Sequence, residues 1–318
     1  MFTIKDKYPT IVGQTSVLKK LNFFSEIQNS TGFFPPVLLT GSRGAGKNSI
    51  ATALIRNIKT AETKSEKQAV EINSSSIESL DDFYNNIVDI LIVGKEISLI
   101  MDEFHAISKV PDLLDTFLTI FNTNNLVNTI KRNGLDYAFD KSKISWICLT
   151  SEPHLLPETL LSRLEVIQLE ALTQDELAEI IQKNLNGIEA EKETIADVAS
   201  VARNNGRESF KLAENIYNHL KRQGKRRLTK EEWLDIKSQL GVRKFGINNV
   251  ELKIMQYLQK HPQGVSLSKL SSALMLTADS TRLGFERFLL GNDFIAIEAG
   301  KGRTLTSKGK LYLEEVKD

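Results

Sequence analysis

One cysteine stands in 318 residues, and that residue, Cys148, falls inside an apolar run. The chain therefore has no means of forming an intramolecular disulfide or a thiolate zinc cluster, which suits a reducing compartment. Cys148 is expected to be a small buried hydrophobe. An excess of either charge is missing too, since 41 Lys and Arg against 40 Asp and Glu leave a formal net charge of +1. No overall field draws the molecule to nucleic acid or a membrane surface, so any such contact has to come from a local patch. No apolar run approaches the roughly 20 residues that a membrane-crossing helix needs. The opening Met1-Phe2-Thr3-Ile4-Lys5-Asp6 lacks the charged-then-apolar form of a secretion signal. These absences predict a cytoplasmic protein with no membrane partner. Internal repeats are lacking, and the nearest thing to a low-complexity tract is polar Lys59 to Lys67, expected to be a solvated loop. The length suffices for two or three domains, each with its own core.

What the chain does have is Leu38-Leu39-Thr40-Gly41-Ser42-Arg43-Gly44-Ala45-Gly46-Lys47-Asn48-Ser49, an apolar strand running into Gly-x-x-x-x-Gly-Lys and then into a helix. The alternative is an ordinary glycine-rich turn, but the pattern is that of a phosphate-binding P-loop. Gly41, Gly44 and Gly46 let the backbone curl until successive N–H groups face an anion, and the helix starting near Lys47 points its positive end at the same place. Lys47 would reach the β- and γ-phosphates as a point charge. The position after it, where a Ser or Thr hydroxyl normally serves Mg²⁺, holds Asn48. Either Asn48 or Ser49 still serves the metal, or hydrolysis is slow and nucleotide binding is the main activity.

A second apolar run, Ile97-Ser98-Leu99-Ile100-Met101-Asp102-Glu103, ends in two carboxylates and reads as a buried parallel strand with acids at its carboxyl end. Ligand sites in open α/β sheets lie at that end. Asp102 would hold Mg²⁺, directly or through water, and Glu103 would polarise the attacking water as general base. Otherwise the two acids stabilise the start of a surface helix.

Strand-like segments Val37-Leu39, Ala69-Ile72, Ile97-Met101 and Ile144-Thr150 alternate with helical periodicity, which predicts an α/β domain with a parallel sheet, completed by Glu165-Leu169. From Thr173 the strands stop, and Thr173-Gln174-Asp175-Glu176 reads as a helix cap. Helices continue to about Leu240. A second boundary falls near Gly241 to Gly246, beyond which three helices and two strand-like runs describe a winged helix, a fold that binds DNA or protein. The expected division is 1–171, 172–243 and 244–318.

This combination resembles the AAA+ ATPases, and within them the RuvB-type motor that drives branch migration of Holliday junctions. Tyr8-Pro9-Thr10-Ile11-Val12-Gly13-Gln14 resembles the family's N-terminal nucleotide-side segment, which implies Tyr8, Ile11 and Val12 around the adenine. Asp102-Glu103-Phe104-His105 is similar to the family's Asp-Glu-Ile-His. Ile147-Cys148-Leu149-Thr150-Ser151 occupies the sensor-1 strand, which implies a γ-phosphate or water contact for Thr150; Glu152 reverses the charge of the family's Arg. Leu160-Leu161-Ser162-Arg163-Leu164 resembles the arginine-finger segment, so Arg163 would enter the neighbouring subunit's site, which implies a homo-oligomeric ring, a hexamer in the motor. A lone Arg here could instead be a solvated surface residue. Asn205-Gly206-Arg207-Glu208-Ser209-Phe210 resembles sensor 2, with Arg207 toward the nucleotide and Arg203 in reserve; its Arg followed by an acid matches clamp loaders better than the motor's Gly-Thr-Pro-Arg.

Between the second motif and sensor 1, Asn133-Gly134 separates two β-type runs, a hairpin signal. The RuvB-like motor uses an inserted hairpin here, about 125–139, to dock its junction-binding partner RuvA. The resemblance thus implies a RuvA-like partner, with Leu126 and Phe139 as docking residues; these apolar residues could instead pack on the parent domain, or Lys131-Arg132 could touch DNA. Two further basic segments are DNA candidates. Lys221-Arg222-Gln223-Gly224-Lys225-Arg226-Arg227 could neutralise phosphates or complement a helix's negative end. Gly300-Lys301-Gly302-Arg303 matches the wing turn that the motor lays on the DNA backbone, which implies DNA contacts for Arg303 and Lys301, read by shape and salt rather than base order. The expectation is an ATP- and Mg²⁺-dependent ring motor on duplex or four-way-junction DNA. The alternatives are a clamp or helicase loader and a nucleotide-gated DNA-binding scaffold with weak hydrolysis.

Overall fold

The computed structural model describes residues 3–60, 63–88, 96–122, 124–132 and 134–316. It divides into two compact units, Met1–Asn186 with Asn204–Glu214, and Gly187–Arg203 with Asn215–Asp318. Among the described residues no helix is long and apolar enough to cross a membrane.

The first unit is built on β1 (Val37–Thr40), β2 (Gln68–Asn73), β3 (Ile97–Asp102), β4 (Val127–Arg132), β5 (Leu135–Asp140), β6 (Ile144–Thr150) and β7 (Glu165–Gln168). Five of these form a sheet in the order β2-β3-β6-β1-β7, every neighbour parallel. All residues of β1 and β6 are buried, and in β3 only the terminal Asp102 is not. Continuous apolar runs form such strands because both faces of the sheet are covered. Successive side chains point to opposite faces, so the sheet feeds two cores. Leu38, Leu99, Met101, Trp146 and Cys148 pack with Phe83, Phe104, Phe117 and Phe121 on one side. Val37, Leu39, Ile100, Ile147 and Leu149 pack with Leu18, Leu21, Ile50 and Leu54 on the other. Burial pushes the Cys148 thiol well above its ordinary pKa, in keeping with its expected role as an inert core residue.

Strands β4 and β5 form the expected antiparallel hairpin, with Asn128 opposite Phe139 and Ile130 opposite Tyr137. Gly134 takes φ +78° in its turn, while Asn133 and the Arg132 side chain lie outside the described residues. The hairpin corrects half of the docking expectation. Phe139 is 1% exposed in the core of its own unit, and Tyr137 stacks edge-on against Tyr84. Leu126, at 54%, is exposed, as are Val127 and Leu135.

Thr173 and Glu176 make the predicted capping box: the Glu176 amide donates to the Thr173 hydroxyl at 3.3 Å and the Thr173 amide to the Glu176 carboxylate at 2.8 Å. Strands do not stop there, however. In the second unit Glu189–Ala190 (β8) pairs in parallel with Arg227–Leu228 (β9), each too short to leave a periodic signal. The basic segment around β9 is half committed to its own chain, Lys225 to Glu232 at 2.5 Å and Arg227 to Glu191 at 2.8 Å.

The winged helix comprises Asn249–Lys260, Leu267–Ala273, a π-helical Ser280–Glu286 that continues into Arg287–Gly291, the antiparallel pair Ile295–Glu298 (β10) and Gly302–Leu305 (β11), and Ser307–Glu315. Its core is Ile254, Met255, Leu258, Leu289, Phe294 and Tyr312.

The interlocked aromatics of the first core give a direct test. Phe117 is fully buried and touches Phe83, Phe104, Phe121 and Trp146. Phe117→Ala is expected to cost about 3–5 kcal/mol of unfolding free energy. Trp146 fluorescence, followed through urea unfolding in a Trp233→Phe background, checks it; a loss below about 1 kcal/mol would mean that this core is loosely packed.

Candidate nucleotide-binding site

At the carboxyl end of β1 the chain turns through Gly44 (φ +82°) and Gly46 (φ +97°) into the Lys47–Ile55 helix. Positive φ at both positions is glycine's province. Gly44 also has a neighbour that forbids a side chain: a Cβ there would lie 1.9 Å from Asn205 Oδ1. Asn205 ties two segments together. Its side-chain amide donates to the Arg43 carbonyl at 3.2 Å, its Oδ1 accepts from the Arg207 and Glu208 amides at 2.9 and 3.3 Å, and the adjacent Gly206 amide donates to the Gly44 carbonyl at 3.0 Å. The start of the Gly206–Arg222 helix is thereby capped and laid against the loop.

A cavity of about 1140 Å³ opens beside this junction. Gly44, Ala45, Gly46, Lys47, Asn48 and Ser49 line it, as do Ile11 and Val12, Asp102 and Glu103, and Arg207. Two loop and adenine candidates stand elsewhere. Gly41 contributes a carbonyl to Lys47 without lining the cavity, and Tyr8 is 1% exposed in the core beneath it, so of the adenine candidates Ile11 and Val12 line the cavity.

Lys47 Nζ donates to the carbonyls of Gly41 at 2.8 Å and Ser42 at 3.1 Å. Burial lowers its pKa from the ordinary lysine value; Asp102 and Glu103 oppose that shift, and Arg207 and Arg43 add to it. Its charge is the centre of a basic wall that an anion would complete.

The acidic end is arranged differently from the expectation. Asn48 Nδ2 donates to Asp102 Oδ2 at 3.1 Å, and the Glu103 amide donates to Asp102 Oδ1 at 2.8 Å. Glu103 itself takes a left-handed backbone (φ 49°, ψ 42°), uncommon for a residue with a side chain. Its Oε2 is buried without a hydrogen-bond partner, 3.5 Å from His105 Nδ1. His105 Nε2 lies 3.4 Å from Glu152, so the acid at the reversed position faces the imidazole. The donor set does not fit a P-loop magnesium held directly. Where a hydroxyl would serve the ion the chain offers an amide, its N–H already turned to the carboxylate expected to share that ion.

Thr150 is fully buried, its hydroxyl engaged by His105 Nδ1 at 3.0 Å and the Glu152 amide at 3.0 Å. The hydroxyl that lines the cavity belongs to Ser151, and it has no partner among the described residues. Strand parity was the signal for this: Ile147, Leu149 and Ser151 share one face, the face against which the P-loop helix packs Ile50 and Leu54. Asn205 was likewise legible, as the residue before a helix whose third position is acidic.

Arg163 does not line its own chain's cavity; its guanidinium donates to the Leu118 carbonyl. Arg203, the reserve for sensor 2, is excluded from that role by its other engagements, a pair with buried Glu251 and stacking on the Phe288 ring. Arg303, expected to lie on DNA, is instead held by a bidentate pair, Nε to Glu286 Oε1 at 2.7 Å and a terminal nitrogen to Oε2 at 3.1 Å, with Glu286 fully buried. Lys301 is exposed and pairs with Glu298 at 2.8 Å, which raises its pKa.

The loop, the acid-ended strand and the parallel sheet define a P-loop nucleotide-binding protein. Residues 37–171 match the family described as ATPase family associated with various cellular activities (AAA). Residues 244–314 match the RuvB C-terminal winged helix domain, so the chain carries an AAA-type ATPase domain followed by a winged helix of RuvB type. Among curated proteins it is similar to the Holliday junction branch migration complex subunit RuvB of Wolbachia sp. subsp. Brugia malayi, 22% identical over 306 residues, 95% of this chain and 90% of that one. The same-named subunit from Wolbachia sp. subsp. Drosophila simulans is 24% identical over 307 residues, 95% and 91% of the two chains. Among solved structures, the Thermotoga maritima RuvB Holliday junction branch migration motor has the same fold, with a TM-score of 0.73 at 23% identity over 95% of each chain.

The contact between Gly44 and Asn205 yields a paired prediction. Gly44→Ala is expected to weaken nucleotide binding by about tenfold or more, and Gly44→Ala with Asn205→Ala to recover part of that loss because the new Cβ then has room. Titration with a fluorescent nucleotide checks both; a double variant no better than the single one would put the defect in the loop's φ alone.

Proposed function

We propose that this protein is an ATP-driven DNA motor of the RuvB type, acting on branched duplexes such as four-way junctions. One conjunction supports the reading: a P-loop, an acid pair and Arg207 around one cavity, in a chain that ends in a RuvB-type winged helix. Lys47 and the loop amides bind the phosphates, Ile11 and Val12 hold the adenine, and Arg207 adds a second cation to the phosphate end. Glu103 takes the proton of the attacking water. Arg163 serves the neighbouring subunit of a homo-oligomeric ring, taken as a hexamer, where it meets charge that develops as the γ-phosphoryl leaves. On the same reading the chain has three parts, 1–171, 172–243 and 244–318, and works in the cytoplasm.

DNA contact falls to Lys301 and its neighbours on the wing, while Arg303 shapes the wing from inside. A RuvA-like partner docks on the hairpin through exposed Leu126, Val127 and Leu135. Mg²⁺, expected at Asp102 and Asn48, is left out of this mechanism because the amide pairs with the carboxylate. That same contact favours a second reading, a nucleotide-gated DNA-binding scaffold with slow hydrolysis.

Steady-state ATPase rates with and without four-way-junction DNA separate the two. A motor shows turnover that rises with DNA and falls by about 100-fold or more in Glu103→Gln. A scaffold shows almost none until Asn48→Thr restores it. If neither the native chain nor Asn48→Thr turned over ATP or bound the junction, both readings would fall. Leu126→Asp is expected to abolish capture of the RuvA-like partner with no change in thermal midpoint; retained capture would remove the hairpin from the docking surface.

A further inference from the structure

The contact between Asn48 and Asp102 has consequences for which form of nucleotide the site accepts. A hydroxyl at position 48 would carry a donor and an acceptor on one atom, able to donate to Asp102 while its lone pair ligates an ion. An amide splits these functions between Nδ2 and Oδ1. An ionised carboxylate only accepts, so the atom 3.1 Å from Asp102 Oδ2 has to be the NH₂ nitrogen. The Glu103 amide occupies the other carboxylate oxygen at 2.8 Å. Both oxygens of Asp102 thus face positively polarised hydrogens. Mg²⁺ demands near-ideal octahedral geometry and gives up its water reluctantly. Two of the roughly four lone-pair sites of this carboxylate are already taken by fixed donors, so an ion would compete with them for it.

The charge of a polyphosphate is met in another way. Gly44, Gly46 and Lys47 bring backbone amides to a helix N-terminus, the Ala45 amide being bonded to the Ser42 carbonyl, and Lys47, Arg43 and Arg207 all line the cavity. Neither Arg43 nor Arg207 has an ion-pair partner among the described residues, and Lys47 bonds only to carbonyls of its own loop. The cationic groups are therefore free to turn to an anionic ligand, while both oxygens of Asp102 are engaged.

We infer that Asn48 makes nucleotide binding by this protein independent of Mg²⁺, the loop amides and the three cationic side chains supplying the neutralisation that an ion would otherwise share. The inference rests on the nucleotide site of the preceding section and adds the identity of the bound species, the metal-free nucleoside di- or triphosphate. Asn48 is its specificity-determining residue.

The test uses the full chain and fluorescent ADP and ATP analogues, titrated once with excess EDTA and once with excess Mg²⁺. The native protein is expected to give dissociation constants within about threefold of each other, whereas Asn48→Thr gains about tenfold or more from Mg²⁺. A native protein that tightens about tenfold with Mg²⁺ would overturn the inference. So would an Asn48→Thr variant, folded by circular dichroism, that is as indifferent to the ion as the native chain. Lys47→Ala should lose binding in both buffers. If the native chain bound neither analogue in either buffer, the nucleotide reading itself would fall and the inference with it, a result distinct from metal-dependent binding.

Discussion

A parallel sheet covered on both faces can offer polar groups only where its strands end, and the whole candidate site follows from that constraint. β1, β3 and β6 are almost wholly apolar, and each becomes polar at its carboxyl end, at Thr40, Asp102 and Thr150. The three ends are neighbours because β3, β6 and β1 are hydrogen-bonded in that order. Loop, acid pair and cavity-facing hydroxyl therefore converge without any one segment specifying the site alone. The two cores hold the arrangement in place: the helix carrying Lys47 is pinned by Ile50 and Leu54, and the segment after β3 by Phe104.

Within that frame the polar contacts are specific to this chain. Asn205 ties the P-loop to the start of the Gly206–Arg222 helix and occupies the space a side chain on Gly44 would enter. His105 links Glu103, Thr150 and Glu152 in one cluster, so the proposed general base has neighbours that do not line the cavity. Asn48 and Asp102, the two residues expected to share a metal ion, are hydrogen-bonded to each other.

The architecture was legible because apolar runs, glycine spacing and caps are local signals. β1, β3 and β6 could be read directly, as could the Thr173 cap and the hairpin. The orientation of single side chains was less accessible. Ser151 was open to strand parity, since it continues the buried face of Ile147 and Leu149, whereas Phe139 shares its face with exposed Leu135 and was not. Arg303 was not: its partner Glu286 lies 17 residues away on a separate element, and no periodicity couples the two. Tyr8 and Arg203 illustrate the same limit, as motif position names a residue without saying which neighbours will claim it.

The second unit contains two fully buried carboxylates, Glu251 and Glu286, each answered by one arginine. Removing one member of a buried pair leaves a stranded charge, at a cost of about 3–5 kcal/mol. Arg303 also belongs to the strand whose backbone exchanges hydrogen bonds with Val265, so its loss would release the wing from within. Charge-removing changes at Arg303 and at Lys301 would therefore look alike in a DNA-binding curve while having opposite origins, one a collapsed reading head and the other a missing electrostatic contact. Only the second would spare the cooperativity of unfolding.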